Sequence, residues 1–283
     1  MNRTVYLNGE YLPEDEAKVS IFDRGFLMAD AVYEVVSVLD GKLLEFSGHI
    51  KRLERSLGEL NMAKPKNFDN LLDIHRTLVA RNNVQEGGVY LQITRGVADR
   101  DFVYPKDAEP TLVMFTQERP IIESPAAKTG MRIISTEDLR WGRRDIKTVQ
   151  LLYPSMAKMM AKAAGVDDAW LVEDGFVTEG TSNNAYIVKD GKIITRSLSH
   201  DILHGITRAS VLRYAAEAQM IVEERNFTIE EAQSADEAFI TSASAFVTPV
   251  IEVDGAKLGG GTPGPVAGRL REIYIEESRK AGI

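Results

Sequence analysis

Five tight turns limit the fold of this chain more than any other feature of its sequence. Each is an Asn-Gly or Asp-Gly pair between short apolar stretches, which is a strong local signal for a β-hairpin. They are Asn8-Gly9, Asp40-Gly41, Asp174-Gly175, Asp190-Gly191 and Asp254-Gly255. Hairpins join antiparallel strands, whereas Rossmann and TIM-barrel chains alternate strand and helix strictly. The turns therefore predict an α+β fold with antiparallel hairpins.

A break in the pattern near the middle of the chain predicts two domains. Residues 117–125 contain Pro120 and Pro125 and have no clear periodicity, so we expect a linker there. The length of 283 residues suits two domains or one large one. We predict a smaller N-terminal domain at 1–118, an interdomain linker at 119–125 and a larger C-terminal domain at 126–283.

Periodicity predicts the individual elements. We expect a loop at Arg24–Asp30, a helix capped by Ser47 with Arg52 beside its apolar stripe, and a second helix with His75 in the core. A third helix, Ser155–Ala164, is rich in methionines that we expect to be packed. Predicted strands are Val5–Leu7, Glu10–Leu12, Val32–Leu39, Lys42–Phe46, Val89–Thr94, Thr111–Thr116, Met131–Ile134, Ala169–Glu173, Ala185–Val188, Lys192–Thr195, Glu237–Ile240 and Phe246–Val253; predicted late helices are Thr207–Ala218 and Pro265–Glu277.

Composition excludes several classes of function. The formal net charge of -8 and the pI of about 5.2 argue against a nucleic-acid partner. The absence of cysteine excludes disulfides, cysteine-zinc sites and a thiol nucleophile, and it fits a reducing cytoplasm. No apolar run approaches the ~20 residues of a membrane span, and the first residues lack the apolar region of a signal peptide. We therefore expect a cytoplasmic protein without a membrane or nucleic-acid partner.

Lys147 is the first candidate for chemistry. Ile146 precedes it, and Val149, Leu151 and Leu152 follow, so the stretch is expected to be buried. A lysine that loses its hydration is held as a neutral amine, and such an amine is a nucleophile suited to forming a Schiff base. Taken alone, Lys147 is better explained as one of the many solvated lysines of the chain, and the rest of the sequence changes that interpretation.

Three other stretches carry candidate binding residues. The amides of Ile206 and Thr207, after Gly205, begin a predicted helix and form either a phosphate site or a simple helix start. Small hydroxylated residues end a strand at Thr241-Ser242-Ala243-Ser244, where a turn can also donate amides to a phosphate. Glu179 lies in an expected tight loop, either as a solvated residue or as the partner of a cationic ring. His200 and His204 lack the further ligands of a metal site, and we predict none.

Together these stretches resemble a known family. The sequence has Asp-Ile-Lys-Thr at Lys147, Glu-Gly-Thr-Ser-Asn-Asn from Glu179, Leu-His-Gly-Ile-Thr-Arg before the helix, and the Thr-Ser-Ala-Ser turn ahead of Val247-Thr248-Pro249-Val250. Their order and spacing, from the first hairpin to Pro265, are similar to the class IV (fold-type IV) pyridoxal-phosphate enzymes. That family includes D-amino-acid transaminases, branched-chain transaminases, aminodeoxychorismate lyases and (R)-selective amine transaminases.

The resemblance implies a role for each matching residue. Lys147 would hold pyridoxal 5'-phosphate as a Schiff base and then move the substrate proton. Glu179 would pair with the pyridine nitrogen and keep it protonated. The phosphate would be bound by Arg52, Ile206, Thr207 and the turn, so the cofactor-binding set is Arg52, Lys147, Glu179, Ser182, Ile206, Thr207, Ser242, Ala243 and Ser244. The C-terminal domain would bind the cofactor, and two copies of the chain would form a homodimer in which each site is completed by its neighbour's loop.

Within the family, the sequence resembles the D-amino-acid transaminases. Tyr33-Glu34-Val35-Val36 is similar to their Tyr-Glu-Val-Ile, where branched-chain enzymes have Phe-Glu-Gly. Leu152 stands where branched-chain enzymes have a tyrosine. The substrates implied are D-amino acids, such as D-alanine or D-glutamate, and 2-oxo acids.

The substrate loop departs from that family pattern. Arg100 matches the Arg of the Arg-x-His motif that binds the substrate carboxylate, but Phe102 replaces the histidine. We expect a non-standard carboxylate site, with Tyr33 as the remaining hydroxyl donor, Val35 beside it, and possible side activity on (R)-primary amines. Asp99 and Asp101 could instead pair with Arg100 as in any exposed loop. The alternatives on the same fold are an aminodeoxychorismate lyase and a branched-chain L-amino-acid transaminase.

Overall fold

The computed structural model describes residues 3–283, and these form two compact units. The first contains the described residues up to Pro120, together with Ile146–Gln150 and Arg279–Ile283. The second contains Ile121–Asp145 and Leu151–Ser278. The division predicted at 119–125 into consecutive ranges stays a prediction, and the structure adds that the short Lys147 segment groups with the first unit.

The first unit is built on a six-stranded antiparallel sheet in the order β2-β1-β6-β5-β3-β4. Its strands are β1 (Thr4–Leu7), β2 (Glu10–Pro13), β3 (Ala31–Leu39), β4 (Lys42–Leu43), β5 (Glu86–Thr94) and β6 (Thr111–Glu118). Its helices are α1 (Arg24–Met28), α2 (Phe46–Glu59) and α3 (Leu71–Arg81), with a 3₁₀ turn at Phe68–Asn70. The hairpins at Asn8-Gly9 and Asp40-Gly41 are confirmed.

Strand β3 divides its side chains between the two faces of this sheet. Val32, Glu34 and Val36 are buried on the side covered by α2, whereas Tyr33 and Val35 are only half-buried on the other side. This alternation follows from the two-residue period of a strand. It places Glu34 in the core and Tyr33 on the opposite, less covered face of the sheet.

Two local predictions in the first unit were wrong. The expected loop at Arg24–Asp30 contains the short helix α1, because the Asp23 carboxylate caps it by accepting from the Gly25 amide. The strand expected at Lys42–Phe46 ends at Leu43, and α2 is preceded by Glu45 with a φ of 52° rather than by a Ser47 cap. The prediction of His75 in the core is confirmed, since its ring is fully buried and burial lowers its pKa to about 4.

The second unit is built on a nine-stranded mixed sheet in the order β12-β11-β10-β13-β14-β7-β8-β9, with β15 also paired to β14. Its strands are β7 (Met131–Glu137), β8 (Asp168–Glu173), β9 (Phe176–Gly180), β10 (Asn184–Lys189), β11 (Lys192–Thr195), β12 (Ile221–Glu224), β13 (Glu237–Ser242), β14 (Phe246–Val253) and β15 (Ala256–Lys257). Its helices are α4 (Pro125–Thr129), α5 (Leu152–Ala163), α6 (Ile206–Glu217), α7 (Ile229–Gln233) and most of α8 (Pro265–Ala281). The three Asp-Gly hairpins are confirmed.

Helix α5 differs from its prediction in two ways. It begins at Leu152 instead of Ser155, because Pro154 is tolerated in the first turn, where backbone N–H groups have no helical partner. Its methionines are not packed in the core: Met156, Met159 and Met160 are exposed, and Ala157 and Ala161 make the buried face. The last helix, α8, also runs further than predicted, to Ala281.

No helix among the described residues is long and apolar enough to cross a membrane.

Candidate active site

Lys147 lies in a short irregular segment that is attached to β3. The Tyr33 amide donates to the Lys147 carbonyl at 3.0 Å, and the Val149 amide donates to the Ala31 carbonyl at 3.2 Å. Thr148 also forms an isolated bridge with Val32. These bonds hold the backbone of the lysine beside the start of β3 and so bring Lys147 next to Tyr33.

The amine of Lys147 lies over the face of the Tyr33 ring. Its Nζ atom is 4.3 Å from the ring centroid, within cation–π range. Among residues 3–283, no carboxylate forms an ion pair with it. The burial expected around Lys147 is only partly present, since Ile146 is buried but Leu152 is 77% exposed. Leu151, the N-cap residue of α5, is exposed as well.

A buried ion-pair cluster lies on the α2 side of the first unit's sheet. Arg52 donates from Nε and Nη2 to the two oxygens of Glu34, at 2.8 and 2.7 Å. The Nδ1 atom of His49 is 2.8 Å from Oε2 of the same carboxylate. Burial raises the pKa of Glu34, but the charge and hydrogen bonds of Arg52, with those of His49, outweigh it and hold the pKa at about 2. Glu34 is therefore a stable carboxylate.

The sequence prediction placed Arg52 beside the inward stripe of α2, and this was wrong. The buried residues of the helix are His49, Arg52, Leu53, Ser56 and Leu57. Their spacing of three and four residues defines one face, on which Arg52 is central. A charged residue can occupy that face because Glu34 neutralises it from β3.

Glu179 lies in the second unit, near the end of strand β9 rather than in a loop. Its side chain is almost completely buried, with the whole residue 4% exposed. Oε1 accepts from Arg140 Nη1 at 2.6 Å, and Oε2 accepts from the side-chain amide of Asn184 and from the Leu203 backbone, each at 3.1 Å. Three of roughly four acceptor positions on the carboxylate are thus used. One remains for a further donor.

Glu179 is less well compensated than Glu34. Burial raises the pKa of Glu179 above its usual value, and the charge and hydrogen bond of Arg140, with the Leu203 amide, only partly offset this. Arg140 is shared with Asp138, to which it donates from Nε at 2.9 Å and from Nη2 at 2.6 Å. A cation placed at Glu179 would meet a carboxylate whose negative charge is still partly available.

Asn184 connects Glu179 to the start of α6. Its side-chain amide donates both to Glu179 and to the Leu203 carbonyl, the latter at 3.0 Å. Gly205 is required here, because a Cβ atom on it would lie 2.1 Å from Asn184 Oδ1. Asn184 also pairs with Thr241 across the sheet. Glu179, the α6 N-terminus and the turn after β13 are thus brought together around one asparagine.

The α6 N-terminus has the properties of a phosphate site. Helix α6 begins at Ile206, one residue before the predicted start, and its N-cap residue is Gly205, so no side chain caps it. The Thr207 hydroxyl is buried and has no hydrogen-bond partner among residues 3–283. An unsatisfied hydroxyl at a positive helix end, where the first amides also lack helical partners, fits a phosphate group.

The remaining predicted residues of this part lie at the edge of the same region. Ser242 and Ser244 are half-buried, with their hydroxyls 3.4 Å apart, and Ala243 lies between them in the turn. Ser182 is exposed in the turn after β9. His204 Nε2 is 3.1 Å from the Ser199 carbonyl. A half-buried turn of small hydroxylated residues can donate hydrogen bonds to an anion, whereas Ser182 receives no role from these contacts.

The loop Arg95–Pro110 presents Arg100 and Phe102 at the surface. The guanidinium of Arg100 lies 5.5 Å from the Phe102 ring centroid, and Phe102 is 79% exposed. Among residues 3–283, neither Asp99 nor Asp101 forms an ion pair with Arg100. The base of the loop is firmly held, because Arg95 stacks on Tyr104 at 3.6 Å and donates to Asp30 at 2.7 Å.

Sequence reasoning missed the residues that compensate the two buried carboxylates. A glutamate flanked by Tyr33 and Val35 in a β-branched strand was a usable signal for burial, and His49 and Arg52 share a helix face three residues apart. Asp138 and Arg140 had no such signal. They lie in a loop after β7, and only the tertiary structure brings them to Glu179.

Comparison with known proteins finds a matching family, similar enzymes and similar solved structures. A family model described as amino-transferase class IV matches residues 31–253. D-alanine aminotransferase of Staphylococcus haemolyticus is 38% identical over 278 residues, covering 96% of this chain and 98% of that protein. The enzyme of the same description from Bacillus licheniformis is 39% identical over 282 residues, covering 98% and 99%. A solved branched-chain amino acid aminotransferase from the organism abbreviated T.th., with pyridoxamine 5'-phosphate, is 29% identical, with a TM-score of 0.90 and coverage of 98% and 94%.

Proposed function

Because the chain belongs to the class IV aminotransferases, we propose that it moves an amino group between a D-amino acid and a 2-oxo acid. The cofactor of this enzyme is pyridoxal 5'-phosphate. One observation carries the choice of D-amino acids: relatives described as D-alanine aminotransferases match nearly the whole chain at 38% and 39% identity. The branched-chain enzyme with the same fold is 29% identical.

Bound pyridoxal phosphate supplies the electron sink that makes the substrate Cα–H bond acidic. In this proposal Lys147 is the residue that would hold the cofactor through its Nζ atom, and its amine would serve as the base and acid that moves the substrate's Cα proton. Among residues 3–283 no carboxylate forms an ion pair with this amine, so no salt bridge has to be broken before Nζ can reach the cofactor.

Glu179 is proposed to accept a hydrogen bond from the protonated ring nitrogen. Its remaining acceptor position and its incomplete compensation by Arg140 support a cationic partner. Thr207 and the first amides of α6 are proposed to bind the phosphate, together with the turn at Ser242–Ser244. Arg52 is proposed as a further phosphate ligand, with Glu34 fixing its orientation through two hydrogen bonds.

Arg100 is proposed to bind the substrate carboxylate, with help from the Tyr33 hydroxyl and next to Val35. Its freedom from ion pairs with Asp99 and Asp101 supports this role. Because Phe102 offers no hydrogen bond, the site is more apolar than an Arg-x-His pair, and we expect side activity on apolar (R)-primary amines. Changing Arg100 to alanine should reduce turnover of D-alanine much more than turnover of (R)-phenylethylamine. An equal absence of effect on both substrates would remove Arg100 from the site.

A homodimer is part of the proposal, with the Arg95–Pro110 loop of one copy completing the site of the other. In the first unit, apolar side chains are exposed on this loop and on the neighbouring segment, namely Ile21, Phe22, Phe26, Val97, Phe102 and Val103. The Ala98 amide donates to the Phe22 carbonyl, so the two segments form one surface. Such a continuous apolar surface is typical of an interface. Sedimentation should give twice the chain mass of 31.4 kDa. We propose a cytoplasmic location, which cell fractionation would test.

The decisive experiment is a half-reaction panel on the cofactor-loaded enzyme. D-alanine, D-glutamate, L-leucine, L-glutamate and (R)-phenylethylamine are added separately, and the loss of the cofactor's visible absorption is followed. Rapid loss with the D-amino acids and little with the L-forms is expected. Rapid loss with L-leucine and L-glutamate would instead assign a branched-chain transaminase. Pyruvate formation from aminodeoxychorismate without an amino acceptor would assign the lyase.

A further inference from the structure

Arg140 is shared unequally between two buried carboxylates of the second unit. It gives two hydrogen bonds, from Nε and Nη2, to Asp138, whose side chain has no exposed surface. It gives one hydrogen bond, from Nη1, to Glu179. The Thr178 hydroxyl also donates to Asp138, at 2.7 Å. Asp138 is therefore the better compensated of the two carboxylates, although Glu179 is the proposed cofactor ligand.

We propose that Asp138 is a positioning residue that limits how far Arg140 can neutralise Glu179. The inference rests on the proposed function, in which Glu179 accepts a hydrogen bond from the ring nitrogen. A guanidinium is planar and presents a rigid fork of donors, so an arginine whose fork is bound to one carboxylate can offer only a side donor to the next. Nε and Nη2 of Arg140 bind Asp138, so only Nη1 is left to donate to Glu179.

The charges of the cluster support this assignment. Asp138 and Glu179 carry two negative charges, and Arg140 carries one positive charge between them. Arg144 approaches Asp138 with Nε at 3.5 Å, but its two Nη atoms bind Glu173 at 2.7 and 2.8 Å, so that outer pair is neutral by itself. One negative charge is left at the cluster. A protonated ring nitrogen at Glu179 would neutralise it, which favours the protonated ring.

Uncharged donors complete the surroundings of Glu179 in this unit. They are the Asn184 side-chain amide and the Leu203 backbone amide. Neither changes protonation state in the working range of an enzyme. Within the second unit, the charged groups that act on Glu179 are therefore Arg140 directly, Asp138 through Arg140, and the Arg144–Glu173 pair beyond them.

The test replaces Asp138 by asparagine. D138N keeps the shape of the side chain but removes its charge, so Arg140 is left to compensate Glu179 alone. The pKa of the Glu179 carboxyl in the cofactor-free protein should fall by about one unit. It is measured from the ¹³C chemical shift of labelled glutamate carboxyls, with E179Q to assign the signal. The matched control is D190N, an identical change in an exposed hairpin turn with a φ of 50°, which should leave the signal unmoved.

A second readout uses the cofactor-loaded protein. The pH midpoint of the cofactor's visible absorption should move downwards in D138N, because the ring nitrogen then faces a better neutralised carboxylate. If D138N does not fold, T178V serves as the second variant. It removes one hydrogen-bond donor from Asp138, so Asp138 should interact more strongly with Arg140 and leave Glu179 less neutralised. The pKa of Glu179 and the pH midpoint of the cofactor absorption should then both rise slightly. A midpoint in D138N equal to that of D190N, or a T178V midpoint that does not rise, would overturn the inference.

The outcomes separate this inference from the proposed function. If D138N leaves the carboxyl signal unmoved while the loaded enzyme still turns over D-alanine, the role of Asp138 is lost and the function stands. If E179Q leaves the pH profile of the cofactor spectrum unchanged, Glu179 is not the ligand of the ring nitrogen. If the half-reaction panel excludes D-amino acids while the signal moves as expected, Asp138 keeps its role in an enzyme with another substrate.

Discussion

Glu34 and Glu179 are both buried glutamates bonded to an arginine, but they differ in how completely they are neutralised. Glu34, on β3 of the first unit, receives two hydrogen bonds from Arg52 and a contact from His49, and its pKa is held at about 2. Glu179, on β9 of the second unit, receives one bond from Arg140, and burial raises its pKa. An arginine partner alone therefore does not determine how completely a buried carboxylate is neutralised.

The difference separates a carboxylate that orients a neighbour from one that is available to a ligand. The fork of Arg52 satisfies both oxygens of Glu34, so the pair is neutral and the arginine is fixed. The fork of Arg140 is directed to Asp138, so Glu179 retains negative charge and an acceptor position. The same two residue types thus build a support in one unit and a candidate binding group in the other.

The largest effect is expected when the pair between Glu34 and Arg52 is broken. Changing Glu34 to glutamine removes the carboxylate charge that compensates the buried Arg52, and the free energy of unfolding should fall by roughly 3–5 kcal/mol. Urea unfolding of the cofactor-free protein measures this loss. The control is E14Q, which removes the same residue type from the Arg3–Glu14 pair, where both side chains are 36% exposed, and which should cost less than about 1 kcal/mol. Equal losses in the two variants would mean that Glu34 is not an essential partner of Arg52.

The second prediction uses pH to separate the two carboxylates. The pKa of Glu34 is lowered from 4.5 to about 2, so its contribution is present above pH 4.5 and is lost as the pH falls towards 2. This contribution amounts to roughly 3 kcal/mol. The pKa of Glu179 is raised, so its contribution is present below pH 4.5 and is lost as the pH rises through the raised value.

Unfolding free energies measured between pH 2 and 7 should therefore respond in opposite ways to the two changes. E34Q should flatten the loss of stability at low pH, because the group that is protonated there is gone. E179Q should remove a cost that grows with rising pH, so its stability relative to the unchanged protein should improve as the pH increases. Parallel pH profiles for the two variants would contradict the distinction.

The third prediction compares stability with activity at Glu179. E179Q should change the free energy of unfolding of the cofactor-free protein by less than about 1 kcal/mol, since the amide oxygen can still accept from Arg140 and the burial cost of a charge disappears. Transamination should fall on the order of 100-fold, or about 2.7 kcal/mol, because a neutral amide cannot hold the ring nitrogen protonated. A large loss of stability with unchanged kcat would give Glu179 a structural role instead.

Local rules predicted the parts of the molecule that depend on neighbours in sequence. The hairpins at Asp174-Gly175, Asp190-Gly191 and Asp254-Gly255 are where the turn residues put them, because an Asp-Gly pair accommodates the positive φ that such turns need. The long strand β3 followed from its β-branched residues. The class of enzyme followed from four motifs in a fixed order, which the family match confirms.

Tertiary contacts were beyond those rules. Nothing near Lys147 in sequence indicates that its carbonyl accepts from the Tyr33 amide or that the Val149 amide donates to Ala31, more than a hundred residues earlier, so its place in the first unit was not predicted. The exposed methionines of α5 were mistaken for core residues because their apolar character was counted without knowledge of which face is covered. Arg140 reaches Glu179 across 39 positions of sequence, a separation at which periodicity carries no information.

The smallest expected effect concerns the uncharged donors of Glu179. Changing Asn184 to alanine removes the amide that donates to Oε2 of Glu179 and to the Leu203 carbonyl, so both acceptors lose a buried partner. The free energy of unfolding should fall by roughly 1–2 kcal/mol, less than in E34Q, because no charge loses its counterion. The pKa of Glu179 should rise further, since one of its three donors is gone. Urea unfolding and the ¹³C carboxyl signal measure the two effects. If the signal stays in place while stability falls, Asn184 supports the Leu203 segment and Arg140 alone sets the charge of Glu179.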